Sequence, residues 1–278
     1  MSVGIRTLGA MALSLAAASS ARAALVVHYG FEEGLGTTAL DSATADGTPT
    51  PVDNGSLRNG VTYVPGIVGS FAVNLDGADD DVLVNGITGN DQDVISGSGG
   101  ATLAAWVRMD TITGATRDVV QIRRNGSSSE GRAVLRVLSN GAIQVGVRTA
   151  DTTAGAVVLD SAAGLVATDT WAHVAGVIDI PNDTITIYLN GVAVATSAAG
   201  DTFGAATAFP NTLSNAVLFG SNGGQGNRVD GLIDDGRIYN EALDASAIAA
   251  LVPEPGVVGL AAVAGLGALG RRRRRRKV

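Results

Sequence analysis

Short runs of Val, Ile and Thr, broken at close intervals by Gly, Asn and Asp, constrain this chain more than any other feature. β-Branched residues suit a pleated surface, and the interrupting residues supply turns. In Leu25–Phe31, alternation puts Leu25, Val27, Tyr29 and Phe31 on one face. Ala72–Leu75 and Val82–Val84 flank a polar Asp-Gly turn, and Thr102–Arg108 reads as a further strand. Val119–Arg123, Ala133–Leu138 and Ala142–Arg148 read as a meander with a tight turn at Asn140-Gly141. Trp171–Ile180 pairs with Thr184–Leu189, and Asn190-Gly191 turns into Val192–Thr196. Ala216–Phe219 and Leu232–Tyr239 complete the set. Only Ala242–Leu251 has helical spacing, and no internal repeat is visible. About 229 residues, from 24 to 252, fit a single all-β sandwich.

The two ends follow other rules. Arg6, the apolar Leu8–Ala18 and the small-x-small Ala21-Arg22-Ala23 read as a cleaved export signal over residues 1–23. Residues 24–251 form the domain, and 252–278 form a terminal segment. That segment holds Pro253, Glu254 and Pro255, an apolar stretch over 257–270, and a basic run over 271–277. Proline keeps the first part extended. The apolar stretch is shorter than the ~20 residues of a full helical span, and the basic run favours a cytoplasmic end. This order resembles the PEP-CTERM sorting signal of Gram-negative bacteria. The resemblance implies an exosortase-type protease acting at Pro253-Glu254-Pro255, with the C-terminal helix in the inner membrane beforehand. Delivery to the cell envelope or extracellular matrix follows. A simple C-terminal anchor is the plainer alternative.

Removing the ends changes the charge. Nine of the 19 basic residues and one of the 26 acidic residues lie there, which leaves 10 basic against 25 acidic in the domain. A balance near −15 excludes a nucleic-acid partner, whose phosphates require a basic footprint. It suits an extracellular protein or one that binds divalent cations. Cysteine is absent, so disulfides cannot hold the fold.

Five segments in order resemble one family. They are Phe31-Glu32-Glu33-Gly34 with Gly36 and Asp41-Ser42; Leu75-Asp76-Gly77; Leu103–Val107; Trp171–Gly176 leading to Ile187–Gly191; and Gly231–Asn240 with Ala242-Leu243. Together they look like the laminin-G-like domain of the concanavalin A-like lectin/glucanase superfamily. The resemblance implies a jelly roll of two antiparallel sheets. Gly236 departs from the family, which usually has a β-branched residue there, so a weakened or bulged strand is expected.

Catalytic signals are sparse. Glucanases of this fold carry Glu-x-Asp-x-x-Glu on one strand, since retaining hydrolysis needs paired carboxyls. The domain's four glutamates, Glu32, Glu33, Glu130 and Glu241, do not form it. His28 and His173 sit in apolar strands and read as hydrogen-bonded structural residues. No nucleophile elbow or phosphate loop occurs. A non-enzymatic role is expected. The resemblance implies calcium at the sandwich rim, held by Glu33 and Asp41 with Asp234 or Asp235; the alternative is that these carboxylates cap turns. Asp79–Asp81 reads as a solvated turn or a second ion site. Trp106 and Trp171 match core positions, so an aromatic sugar platform is not expected. The reading is an adhesion or glycan-binding protein of the extracellular polysaccharide. A divergent glycan-active enzyme or a structural matrix protein without a ligand are the alternatives.

Overall fold

The structure is a computed structural model and describes residues 25–43, 54–84, 94–123, 131–150, 156–198, 203–210, 216–223 and 226–252. The expected leader, the Pro253-Glu254-Pro255 motif and the apolar helix at 257–270 lie outside them. Among the described residues no helix is long and apolar enough to cross a membrane.

Two antiparallel eight-stranded sheets form a jelly-roll-like sandwich. The first sheet contains β1 (Leu25–Tyr29), β4 (Thr62–Pro65), β5 (Phe71–Asp76), β7 (Gly100–Met109), β12 (Trp171–Asp179), β13 (Thr184–Leu189), β14 (Val192–Thr196) and β16 (Asp230–Tyr239). Its order is β14-β13-β12-β7-β16-β5-β4, with β1 also on β16. The second contains β2 (Thr38–Ala39), β3 (Gly55–Arg58), β6 (Asp81–Val84), β8 (Arg117–Arg123), β9 (Gly131–Val137), β10 (Ile143–Val147), β11 (Val157–Asp160) and β15 (Val217–Phe219). Its order is β11-β10-β9-β8-β15-β6-β3-β2. The Asp-Gly turn after β5 is no hairpin, because it carries the chain from one sheet to the other.

The turns follow residue chemistry. Asn190 and Gly191 both have positive φ, 49° and 80°, as a two-residue turn matching strand twist requires. At Asn140-Gly141 only the glycine does, at 76°. A short helix α1 (Ala245–Ala250) is capped by Asp244, whose side chain accepts from the Ala247 N–H. It buries Ile248 against a small apolar cluster containing Leu25, Tyr188, Tyr239 and Leu251.

The main core lies between the sheets. Leu103, Ala105, Val107 and Met109 of β7 enter it with Val174 and Ile178 of β12 and with Tyr29, Phe31 and Phe219. The three aromatic rings pack edge-on or tilted at 5.4–6.3 Å. Two expectations change here. The pairing of β1 with β16 shifts between Leu25 and Val27, so Leu25 leaves the face of Val27 and joins the α1 cluster. Trp106 is buried at 8% exposure, but it alternates with the core residues of β7 and belongs to no apolar cluster. Its ring meets His173 at 5.5 Å on the outer face. Trp171 is only half-buried.

The bulge expected near Gly236 is present. β16 pairs with β5 through Asp230–Ile233 and with β1 through Gly236–Tyr239, and its register against β7 shifts between Asp234 and Arg237. Asp235 adopts φ 48°. The side chains of Asp234 and Asp235 are therefore placed by the bulge and not by strand alternation.

Candidate functional site

The expected metal ligands each have internal donors. Glu33 accepts the Leu40 N–H at 2.8 Å and the Tyr63 hydroxyl at 3.0 Å. Asp41 accepts the N–H groups of His28 and Ala43. Asp234 accepts those of Ile67 and Val68 at 2.8 and 2.9 Å. Asp235 accepts from His28 and Arg237. The four do not converge. Among the described residues, the one group of three acidic side chains with ligand atoms within 4.8 Å is Asp76, Asp79 and Asp80. That group lies on the turn after β5, where Arg228 also donates to the Asp79 carbonyl at 2.6 Å.

Two histidine arrangements escaped the sequence reading. His28 is held at both ring nitrogens, by the exposed Ser42 hydroxyl at 2.7 Å on Nδ1 and by Asp235 at 2.8 Å on Nε2. Burial works against the charge of Asp235, but His28 and Arg237 outweigh it and hold the carboxyl below its usual range. Ser42 Oγ also donates to the His28 carbonyl at 3.2 Å. The chain of bonds orients an imidazole. His173, expected to be hydrogen-bonded, has no partner at either nitrogen among the described residues. Burial pulls its pKa down to about 4, so the ring is neutral. Trp106 pairs in register with His173 on one side and Asp234 on the other.

The outer face of the second sheet is different in kind. Its buried polar residues include Asp81, Asp118, Gln121, Arg132, Ser221 and Asn222. Asp81 is fully buried and receives Arg58 at 2.5 and 2.7 Å and Ser221 at 2.8 Å. Asp118, also fully buried, faces Arg136 Nε at 2.9 Å. Burial pushes the Asp118 pKa up to about 6, while Arg136 and Asn227 oppose the rise.

Beside this pair lies a hollow of about 230 Å³. Gly131, Val134, Gly146, Ala156 and Val158 line it together with the polar Arg136, Arg148, Asn222 and Asn227. The strand register explains the depression. Gly146 pairs with Val134 on one side and Val158 on the other. A Cβ on Gly146 would sit 3.0 Å from Val134 Cγ1 and 3.6 Å from Val158 Cγ1, and would occupy the space between them. Arg136 is clamped by Asp118 and approaches Gln144 at 3.4 Å, and Arg148 Nη1 donates to the Gly131 carbonyl at 3.0 Å. Hydrogen-bond donors thus stand around an apolar patch. The alternation Arg132-x-Val134-x-Arg136 on one strand was the available sequence signal.

A family model described as the concanavalin A-like lectin/glucanases superfamily matches residues 75–249. The chain belongs to this superfamily. A search of curated proteins gave no match. Among solved structures, domain 4 of AbnA, a GH43 extracellular arabinanase from Geobacillus stearothermophilus in complex with arabinotriose, is 21% identical with a TM-score of 0.54. The alignment covers 83% of this chain and 99% of that one. The binding domain of Paraclostridial Mosquitocidal Protein 1 is 18% identical at TM-score 0.58, covering 82% of this chain and 51% of that one. The binding domain of botulinum neurotoxin DC in complex with SialylT is 16% identical at TM-score 0.56, covering 82% and 50%. The chain spans about half the length of these toxin domains. At such identities the likeness shows the fold.

Proposed function

We propose that this protein is an exported, non-enzymatic glycan-binding or adhesion protein whose ligand enters the hollow on the outer face of the second sheet. The observation that carries this reading is the hollow itself. Guanidinium and amide groups of Arg136, Arg148, Asn222 and Asn227 surround Val134, Gly146 and Val158. Sugars present hydroxyls at their edges and C–H groups on their faces, and sites for them combine a few placed polar groups with apolar contact. The arabinotriose complex of a similar domain supports the class of ligand. A glycan array on the purified protein tests it, with Gly146→Val as the control that fills the hollow. Binding by the native protein that the variant loses supports the site. Equal binding by both removes it.

Export and sorting complete the proposal. The Ala21-Arg22-Ala23 site and the Pro253-Glu254-Pro255 motif support passage across the inner membrane, processing by an exosortase-type protease, and residence in the envelope or polysaccharide matrix. Glu254→Ala in the native host is expected to leave the C-terminal segment uncut. An unchanged mature mass and location removes the recognition role.

A further inference from the structure

We propose that the hollow selects anionic glycans, with Arg148 receiving a uronate carboxylate or a sulfate ester; this rests on the glycan-binding reading above. The charge distribution is the first argument. The domain carries 25 acidic residues against 10 basic ones, and every basic one is arginine. In a chain so rich in carboxylates an arginine easily finds one. Arg58, Arg108, Arg136, Arg228 and Arg237 do so. Arg148 does not, and neither do Arg117 and Arg123: no carboxylate lies within 4.0 Å of any of the three among the described residues, and of these only Arg148 lines the hollow.

The second argument is the state of that guanidinium. Arg148 is half-buried in the wall of the hollow. Its Nη1 is fixed by the Gly131 carbonyl. Its Nε is screened from solvent and meets no acceptor among the described residues. A positive charge held partly out of water, with neither a counterion nor a full set of acceptors among the described residues, is costly. A bound anion removes that cost.

The third argument is the division of labour between the two arginines. The buried Asp118 neutralises Arg136 and also accepts from its Nη2 at 3.4 Å. Arg136 is therefore a donor to hydroxyls without net charge, whereas Arg148 keeps its net charge. A planar guanidinium matches a carboxylate or sulfate with two parallel bonds. The apolar strip of Val134 and Val158 beside it receives the C–H face of the same sugar ring.

The test uses the full protein and matched pairs of polysaccharides. Polygalacturonate is compared with its carboxyl-reduced form, and a sulfated galactan with its desulfated form, by calorimetry at 20 and 500 mM NaCl. The expected result is at least tenfold tighter binding of one anionic member over its neutral partner, weakened at high salt. Arg148→Gln should remove that preference, and Arg148→Lys should restore part of it. Arg108→Gln on the other sheet should leave it intact. Inorganic sulfate should compete only at far higher concentration than the polymer. Equal binding of charged and neutral members overturns the anionic selectivity while leaving the glycan reading in place. Binding to no polysaccharide at all overturns both. A preference that survives Arg148→Gln in a variant with a native melt moves the anion elsewhere and overturns the assignment.

Discussion

Gly236 lies flat against Phe219: a Cβ at that position would sit 3.0 Å from ring atom Cδ1 and closer still to Cε1. The bulged strand and the aromatic trio of the core are thus fitted to each other. Gly236→Ala is expected to lower stability by about 1–3 kcal/mol through overpacking. Phe219→Leu in the same chain should recover part of the loss. Urea unfolding of the single and double variants measures the coupling. Purely additive losses would separate the two residues.

Trp106→Ala is expected to lower stability by roughly 3–5 kcal/mol, since the ring is buried on the outer face of the first sheet. The hollow lies on the other sheet, so glycan affinity should be unchanged below the melting transition. An unshifted melt with lost binding would place a sugar platform at Trp106 instead.

Glu33→Ala should cost about 0.5–1.5 kcal/mol, because the Leu40 N–H loses its acceptor while the Tyr63 hydroxyl keeps the Thr38 carbonyl. The loss should be the same with EDTA and with calcium. A loss seen only in the presence of calcium would return Glu33 to the role of metal ligand.

Acid should stabilise the protein over one window through Asp234. Burial raises its pKa from 3.8 to about 6, against the two N–H bonds from Val68 and Ile67. Between these values the native state holds a proton that the unfolded chain has released. Stability from this group therefore falls as pH rises from about 4 to 6, by on the order of 2 kcal/mol. Asp234→Asn should flatten that slope in melts between pH 4 and 7. An unchanged slope would assign it to other groups, Asp118 first.

The sequence made some of this legible and concealed the rest for physical reasons. Asn190-Gly191 announced its turn because positive φ at two successive positions restricts residue type. Gly236 announced a bulge for a similar reason. Trp106 reads correctly as buried, while apolar neighbours on both sides of β7 hid which face it takes. The placement of Asp234 and Asp235 was hidden because the bulge suspends strand alternation there. The hollow was unreadable because it needs the register that sets Gly146 between Val134 and Val158. Registers are fixed by long-range pairing, and no local pattern records that the Arg136 guanidinium meets Asp118.

Leu25 and Leu251, at the two ends of the domain, pack in the same cluster under α1. That cluster lies on the outer side of the first sheet, with the sandwich core between it and the arginine hollow. A tether fastened to either end therefore pulls from one pole of the molecule while the hollow looks out from the opposite pole. Attached through either end, the domain would present the hollow like the mouth of a cup, away from its support. Reversing that presentation would require new ends, and the nearness of the present ones makes a circularly permuted chain a practical way to turn the cup around.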